Sequence, residues 1–256
     1  MPWRPGEDLL HLLELAAPTA CGGCGREGTR WCGTCRQALA AGSARRWTPT
    51  PCPPGFPPTW THTAYRDEVR TAVVAWKDGG RADLTAVLAV PLRGVLAAAL
   101  AASPDHLRTL RGTGRLPLVP APSARAGTRA RGEHRVAALC RETTRGRRAR
   151  LPTVDALRLA RRVEDQAGLD AERRRSNLAG AVQVRPRAAD GLVGLPCVLV
   201  DDVVTTGATL VECARALTAA GAGPVLAVTL AATHRRSPGT TAQRSRGRLS
   251  EASGAD

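Results

Sequence analysis

The feature that most constrains this chain is an apolar run at residues 197–200 that ends in two adjacent carboxylates, Asp201 and Asp202. A turn rich in threonine and glycine follows at 205–209, and a helical pattern covers 207–220. This order is typical of a buried strand that presents acids at its carboxyl end and leads through a short loop into a helix. In open α/β sheets, ligands bind in the crevice beyond strand ends of this kind.

The acids and the loop together predict a site for a sugar phosphate. A helix N-terminus offers free backbone N–H groups and the positive end of the helix dipole, which suit a phosphate. Carboxylates accept hydrogen bonds from the vicinal hydroxyls of a ribose, so a ribose 5-phosphate fits both halves of the motif. The candidate ligand-binding residues are Asp201, Asp202, Thr205, Thr206, Gly207, Ala208 and Thr209. The alternative is an ordinary strand-to-helix turn in which Asp202 or a threonine caps the helix. Asp202 is also the nearest candidate for a general base.

Four cysteines near the N-terminus form two C-x-x-C pairs, Cys21 with Cys24 and Cys32 with Cys35. Four thiolates complete a tetrahedral zinc site. Because protein ligands fill all four positions, we expect a structural rather than a catalytic metal, which supplies the folding free energy of a module poor in apolar residues. The alternatives are two redox-active pairs, or reduced cysteines without a ligand.

Strand-like and helix-like segments alternate along the rest of the chain. The alternation predicts an α/β fold with an open, mostly parallel sheet, flanking helices and right-handed crossovers. The predicted strands lie at 60–65, 116–119, 154–159, 179–184, 197–200 and 225–230. The predicted helices lie at 6–17, 66–77, 82–102, 128–145 and 207–220.

Composition divides the chain into four parts. Residues 1–47 hold a short helix and the cysteine module, and the proline-rich residues 48–58 form a stiff linker. Residues 59–236 form the α/β domain. Residues 237–256 are polar and rich in Gly, Ser and Arg, which predicts a disordered tail.

The segment from the apolar run to Thr209 resembles the signature of the type I phosphoribosyltransferases, which bind 5-phosphoribosyl-1-pyrophosphate (PRPP) with Mg²⁺. The resemblance implies a fold of that type, in which Asp201 and Asp202 contact the ribose and the Thr-Gly loop holds the 5-phosphate. A second segment resembles the pyrophosphate-binding loop of these enzymes. Its residues are Pro120, Ala121, Pro122 and Ser123.

With the cysteine module included, residues 6–232 resemble the ComF family. Its members join a four-cysteine element to a phosphoribosyltransferase domain and are associated with DNA uptake during natural transformation. Further matches are Tyr65-Arg66, Trp76-Lys77-Asp78-Gly79, Arg131-Gly132 and the series Gln166, Leu169, Arg173 or Arg174, Asn177 and Gly180. The chain departs from the family at Glu133-His134-Arg135, where an aromatic residue, Asn and Gln are usual.

The ComF resemblance implies a protein that binds PRPP or a related nucleotide and acts with the DNA-uptake machinery. Two other functions stay open. The first is an active phosphoribosyltransferase in nucleotide salvage or related metabolism. The second is a sensor that reports PRPP levels to a partner protein.

The formal net charge is +15 at pH 7, and nearly all the basic residues are arginines. The candidate contacts to the phosphates of PRPP or of single-stranded DNA are Arg125, Arg129, Arg131 and Arg174. Because residues 116–236 lack Phe, Trp and Tyr, DNA binding there is expected to be electrostatic, without base stacking. Trp31 and Trp47 either provide a stacking surface or pack on the cysteine module. A solvated basic surface also accounts for the charge.

The chain shows no targeting segment in its first residues, which include Glu7 and Asp8. Residues 84–102 are apolar, but Pro91 and Arg93 interrupt them, so we predict no transmembrane segment. The cysteines are clustered rather than distributed as a disulfide framework, which indicates a cytoplasmic protein.

Overall fold

The computed structural model describes residues 20–122, 134–147, 149–160 and 180–233. The helices of this part are α1 (Gly33–Ala40), α2 (Asp67–Lys77), α3 (Leu84–Ala101), α4 (Pro104–Gly112), α5 (Arg135–Thr143), α6 (Pro186–Ala189) and α7 (Ala208–Ala219). The strands are β1 (Arg45–Trp47), β2 (Thr59–Ala64), β3 (Leu118–Pro120), β4 (Leu157–Leu159), β5 (Val182–Val184), β6 (Cys197–Val204) and β7 (Val225–Ala232).

Five strands form a central sheet in the order β1-β2-β7-β6-β3. β1 is antiparallel to β2, whereas β2, β7, β6 and β3 run parallel to one another. The predicted α/β architecture with a mostly parallel sheet is therefore confirmed. β6 and β7 are apolar along most of their length because both faces of the inner strands are covered.

Strand β6 extends beyond the predicted residues 197–200. It includes both acids and ends only at Val204. The reason is its pairing with β7, in which the two valines that follow the acids lie opposite two alanines. The two carboxylates are therefore held by the sheet itself, and the loop begins after Val204.

The predicted strands 154–159 and 179–184 do not join the parallel sheet. Their cores, β4 and β5, pair antiparallel as a separate ribbon. Glu212 of α7 fastens this ribbon, because its buried carboxylate accepts a hydrogen bond from the Val182 N–H at 3.2 Å and pairs with Arg215 at 2.8 Å. The local strand pattern is the same in a ribbon and in a sheet, so the sequence could not distinguish the two.

Helices on the two faces of the sheet divide the core into two parts. On one face, α3 and α5 pack against the inner strands through residues such as Leu88 and Leu139. On the other face, α7 buries Leu210 and Leu217 against Leu199 of β6. The helices that follow the adjacent strands β3 and β6 thus lie on opposite sides of the sheet.

Helix α3 has the length and hydropathy of a membrane-spanning helix, with a mean hydropathy of 2.0, and half of it is buried inside the protein. It is the one such helix in the described ranges. Leu84, Leu88 and Leu92 are buried in the core beside the sheet. Pro91 lies within the helix, and Arg93 donates to the carbonyl oxygens at the end of α5. Its apolar character is thus accounted for by its place in the core.

The segment between β1 and β2 covers the predicted linker, residues 48–58. β1 belongs by sequence to the predicted module 1–47, and it forms the edge of the central sheet. The rings of Phe56 and Trp47 meet edge to face, with centroids 6.0 Å apart. The predicted domain boundaries stay predictions. The predicted helix 6–17 and tail 237–256 lie outside the described residues.

Candidate functional site

The carboxyl ends of β3 and β6 meet where the predicted ligand site lies. The two strands are parallel neighbours, but α5 and α7, which follow them, pack on opposite faces of the sheet. A crevice forms at such a switch point, since the two chain segments leave the sheet edge in opposite directions. Pro120 of β3 is in register with Val200 of β6, and Ala121 donates its N–H to the Val200 oxygen at 2.8 Å. The start of the predicted pyrophosphate loop therefore lies beside the two acids.

The described part of that loop offers backbone rather than polar side chains. Pro120 and Ala121 are buried, and Pro122 is half-buried. The remaining predicted phosphate contacts lie outside the described residues, and their roles stay predictions. These are Ser123, Arg125, Arg129, Arg131 and Arg174.

Each acid of the pair is tied to the backbone that follows it. Asp201 Oδ1 accepts a hydrogen bond from the Asp202 N–H at 2.9 Å, and Asp202 Oδ1 accepts one from the Val203 N–H at 2.8 Å. Asp202 is 2% exposed, whereas Asp201 is half-buried. Successive strand residues point to opposite faces of a sheet. The two carboxylates therefore approach the crevice from its two sides.

Lys77, the last residue of α2, completes the acid pair. Its Nζ lies 2.8 Å from Oδ2 and 3.2 Å from Oδ1 of Asp202. Trp76, fully buried, fixes this helix end because its Nε1 donates to the Thr85 hydroxyl at 2.9 Å. Lys77 was not predicted as a site residue from the sequence. The only available signal was its place in the Trp76-Lys77-Asp78-Gly79 match.

The charges of this cluster shift the pKa values of its members. The Asp202 carboxylate raises the pKa of the Lys77 ammonium above its usual value, against the opposing effect of burial. Burial and, second, the charge of Asp202 raise the pKa of Asp201 to about 8. Burial followed by the charge of Asp202 also raises the pKa of Tyr65, which lies at the end of β2. One ammonium is thus paired with one of two adjacent acids at the same edge of the sheet.

The loop after β6 leads into α7 through a left-handed glycine. Gly207 is left-handed, with φ of 79°, and precedes the first residue of α7. A Cβ at Gly207 would lie 2.6 Å from the Phe56 ring, so glycine is required here by conformation and by space. The Thr206 hydroxyl accepts a long hydrogen bond from the Ala208 N–H at 3.4 Å. Thr205 is exposed, which leaves its hydroxyl accessible to a ligand.

The departure from the ComF pattern has a local structural role. His134 caps α5, since its Nδ1 accepts a hydrogen bond from the Ala137 N–H at 3.0 Å. Burial lowers its pKa, so the neutral ring that the cap requires is favoured. Arg135 is 8% exposed. Glu133 lies outside the described residues.

The four cysteines form one compact cluster. All four Sγ atoms of Cys21, Cys24, Cys32 and Cys35 lie within 4.8 Å of one another. Ligands about 2.3 Å from a tetrahedral zinc ion are about 3.8 Å apart, so the observed spacing is compatible with that ion. Cys24 is exposed and the other three cysteines are buried. The predicted four-ligand set is thus brought together.

Backbone N–H groups point at the sulfur atoms. Cys21 Sγ accepts from the Cys32 N–H at 3.4 Å, and Cys32 Sγ accepts from the Cys35 N–H at 3.5 Å. For Cys21, burial opposes ionisation, but the backbone hydrogen bonds outweigh it and lower the pKa to about 6. Hydrogen bonding by the Cys35 N–H lowers the pKa of Cys32. Burial raises the pKa of Cys35. Such N–H donors stabilise thiolates, the form in which cysteine binds a metal.

The cysteine cluster is anchored to the start of α3. Arg81 donates to the Ala20 oxygen at 2.8 Å and to the Arg30 oxygen at 3.3 Å. Gly22 faces Leu84 so closely that a Cβ would lie 2.6 Å from its Cδ1. Trp31 is buried beside the cysteines. Trp31 therefore follows the packing alternative, whereas the neighbouring ring of Trp47 is that of Phe56.

In comparisons with known proteins, no family model matches the chain, and no curated protein is significantly similar to it in sequence. The identity of the ligand must therefore be argued from the residues of the site.

Proposed function

We propose that this chain is a ComF-like protein whose type I phosphoribosyltransferase domain binds PRPP, or a related ribose 5-phosphate ligand, at the carboxyl ends of β3 and β6. The position of the acid pair carries the proposal. Asp201 and Asp202 lie in the last half of β6 at a switch point, two residues before the loop that leads through Gly207 to a helix N-terminus. Few ligands other than a sugar phosphate need both features in that order.

Each part of the site has a separate task in binding. The carboxylates of Asp201 and Asp202 accept hydrogen bonds from the ribose hydroxyls, and the backbone N–H groups and hydroxyls of 205–209 hold the 5-phosphate. Residues 120–123 face the pyrophosphate. Mg²⁺ bound with the pyrophosphate would neutralise part of its charge. A transfer reaction at such a site depends on positioning and charge stabilisation more than on a general base.

For the cysteine cluster we propose a structural zinc ion held by Cys21, Cys24, Cys32 and Cys35. Four thiolates leave no open position for a substrate. The N–H donors to sulfur and the anchor to α3 support this assignment. The metal would thereby order a module that packs on the core of the main domain.

Calorimetry with PRPP and Mg²⁺ tests the ligand assignment. Asp201→Asn combined with Asp202→Asn is expected to abolish PRPP affinity while the far-UV circular dichroism stays unchanged, because the amides lose the charge but keep the shape. Asp190→Asn, an exposed acid remote from the crevice, is the matched control and should bind normally. Unchanged affinity in the double variant would refute the assignment.

The same protein distinguishes a binding module from an enzyme. Pyrophosphate release in the presence of PRPP and individual free bases would indicate a phosphoribosyltransferase. PRPP binding without turnover, together with salt-sensitive binding of single-stranded DNA, would support the role in DNA uptake that the ComF resemblance implies. A partner that binds only with PRPP present would indicate the sensor.

A further inference from the structure

The single lysine of the chain lies at the acid pair. Of the 37 lysine and arginine residues, only Lys77 is a lysine. Every other one of these residues, exposed or buried, is an arginine. The one ammonium group on a side chain is found where α2 ends against the buried carboxylate of Asp202.

Lys77 is the more exposed member of this ion pair. The side chain of Asp202 is 2% exposed, whereas that of Lys77 is 44% exposed. An ammonium has three N–H donors, and the two oxygens of Asp202 take at most two of them. Among the described residues, the remaining donor has no partner.

An anionic ligand needs this positive charge. The Asp202 carboxylate repels a phosphate or pyrophosphate, and among the described residues Lys77 is the only cation in ion-pair contact with either acid. Charge-assisted hydrogen bonds from a lysine to a phosphate oxygen are strong and tolerate several directions of approach. The exposed donor of Lys77 has the chemistry to receive such an oxygen.

We propose that Lys77 binds the pyrophosphate of the ligand while it remains paired with Asp202, and that it thereby separates PRPP from ribose 5-phosphate. This inference depends on the proposed function. Simultaneous contact with Asp202 and the pyrophosphate requires an ammonium. The guanidinium of an arginine is planar, so it would engage both oxygens of Asp202 and direct its remaining donors away from the pyrophosphate.

The single lysine permits a direct experiment on the whole protein. Labelling with [15N]lysine gives one side-chain amine signal in an NMR spectrum, which needs no assignment. The signal is followed during separate titrations with PRPP and Mg²⁺, inorganic pyrophosphate, ribose 5-phosphate and Mg²⁺ alone. We expect large shifts with PRPP and with pyrophosphate, a smaller shift with ribose 5-phosphate, which reaches Lys77 only through Asp202, and no shift with Mg²⁺ alone.

A conservative variant measures the effect on affinity. Lys77→Arg keeps the charge and is expected to weaken PRPP binding about 10- to 100-fold, the range of one hydrogen bond to a charged group. Its affinity for ribose 5-phosphate should stay within about threefold, since that ligand lacks the pyrophosphate. Arg70→Gln, an exposed position on the same helix, removes a charge without contacting the acids and should bind both ligands normally.

The outcomes separate this inference from the proposed function. If calorimetry detects PRPP binding while the lysine signal stays unmoved, the role of Lys77 is refuted and the site stands. Equal shifts with ribose 5-phosphate and PRPP, or a shift with Mg²⁺ alone, would refute the pyrophosphate assignment. Full PRPP affinity in Lys77→Arg would refute the need for an ammonium. No PRPP binding in the unmodified protein would refute the proposed function itself.

Discussion

The cysteine cluster and the acid pair are built in opposite ways. The cysteines are local, and all four sulfur atoms come from a stretch between residues 21 and 35. The acid pair is completed by Lys77, which lies 125 positions away from Asp202. The cysteine cluster provides donors for its own sulfur atoms, whereas at the carboxyl edge of the sheet one ammonium pairs with only one of two adjacent acids. The cluster thus has the features of a stabilising element, and the sheet edge those of a binding site that lowers stability.

Removal of metal from the cysteine cluster gives the largest expected effect. We expect a chelator, or Cys35→Ser, to lower the free energy of unfolding by more than about 4 kcal/mol, as is usual when a structural metal is lost. Thermal unfolding and zinc content by atomic absorption provide the measurement.

Cys52→Ser is the matched control, because Cys52 is exposed and lies outside the cluster. If chelation leaves the melting temperature unchanged, or if purified protein holds no zinc, the cysteine cluster is not a stabilising metal site. The contrast with the sheet edge would then be wrong.

The ion pair between Lys77 and Asp202 should give the next largest effect. Lys77→Met leaves the carboxylate of Asp202 buried without its partner, and removal of one member of a buried pair costs about 3–5 kcal/mol. We expect about 2–3 kcal/mol in urea unfolding, because the half-exposed lysine is partly screened by water.

The double variant Lys77→Met with Asp202→Asn should recover most of this loss, since no unpaired charge remains. A double variant as unstable as Lys77→Met alone would show that the loss came from packing of the lysine stem rather than from the charge of Asp202.

The two sites also differ in how far the sequence predicts them. The C-x-x-C spacing gave all four cysteine ligands, because the geometry of a knuckle is fixed within a few residues. The acids and Gly207 were predicted for the same reason, since strand, loop and helix are consecutive. Lys77 was not predicted as a ligand residue, because its contact with Asp202 depends on how α2 packs beside β6, and no local pattern encodes that packing.

The fold shows the same limit. The alternation of strands and helices predicted the parallel sheet, and the predicted ends of α2 and α7 agree with the structure within one residue. The antiparallel ribbon of β4 and β5 was not predicted, because it depends on the contact of Glu212 with Val182. The extension of β6 past its acids was missed because it depends on pairing with β7.

Ionisation of Asp201 should lower the free energy of unfolding, whereas metal binding at the cysteine cluster should raise it. Its pKa is raised to about 8 in the folded protein, so between about pH 4 and 8 the folded state binds a proton that the unfolded state has released. Stability from this group is complete below the unfolded pKa and is lost as the pH rises through the folded one. Asp201→Asn removes the penalty, and we expect it to stabilise the protein by about 1–2 kcal/mol at pH 8.

Urea unfolding at several pH values checks this. The difference between Asp201→Asn and the unmodified protein should shrink as the pH falls and vanish below about pH 4. A constant difference would mean that the substitution acts through packing. A destabilised variant would show that the Asp201 carboxyl group does not lower the stability of the folded protein.

The smallest effect is expected from two threonines in the same row of the sheet as Asp201. Thr61 of β2 and Thr229 of β7 are in register with each other and with Asp201, and both are fully buried. Their hydroxyls have no hydrogen-bond partner within the described part of the chain. Because a buried hydroxyl without a partner is unfavourable, Thr61→Val and Thr229→Val should leave the stability unchanged or raise it by up to about 1 kcal/mol each.

Thr59 supplies the matched control on the same strand. It is 2% exposed, but its hydroxyl donates to the Pro57 oxygen at 2.8 Å. Thr59→Val should therefore cost about 1 kcal/mol, while its neighbour at 61 does not. If Thr229→Val lowers the free energy of unfolding as much as Thr59→Val does, the hydroxyl of Thr229 has a partner such as a buried water. The polar atoms of this row would then be hydrogen-bonded, as the sulfur atoms of the cysteine cluster are. If Thr229→Val is more stable than the unmodified protein, the unpaired hydroxyls and the raised pKa of Asp201 have one cause. That cause is a polar row across the apolar sheet, at the edge where we propose that the ligand binds.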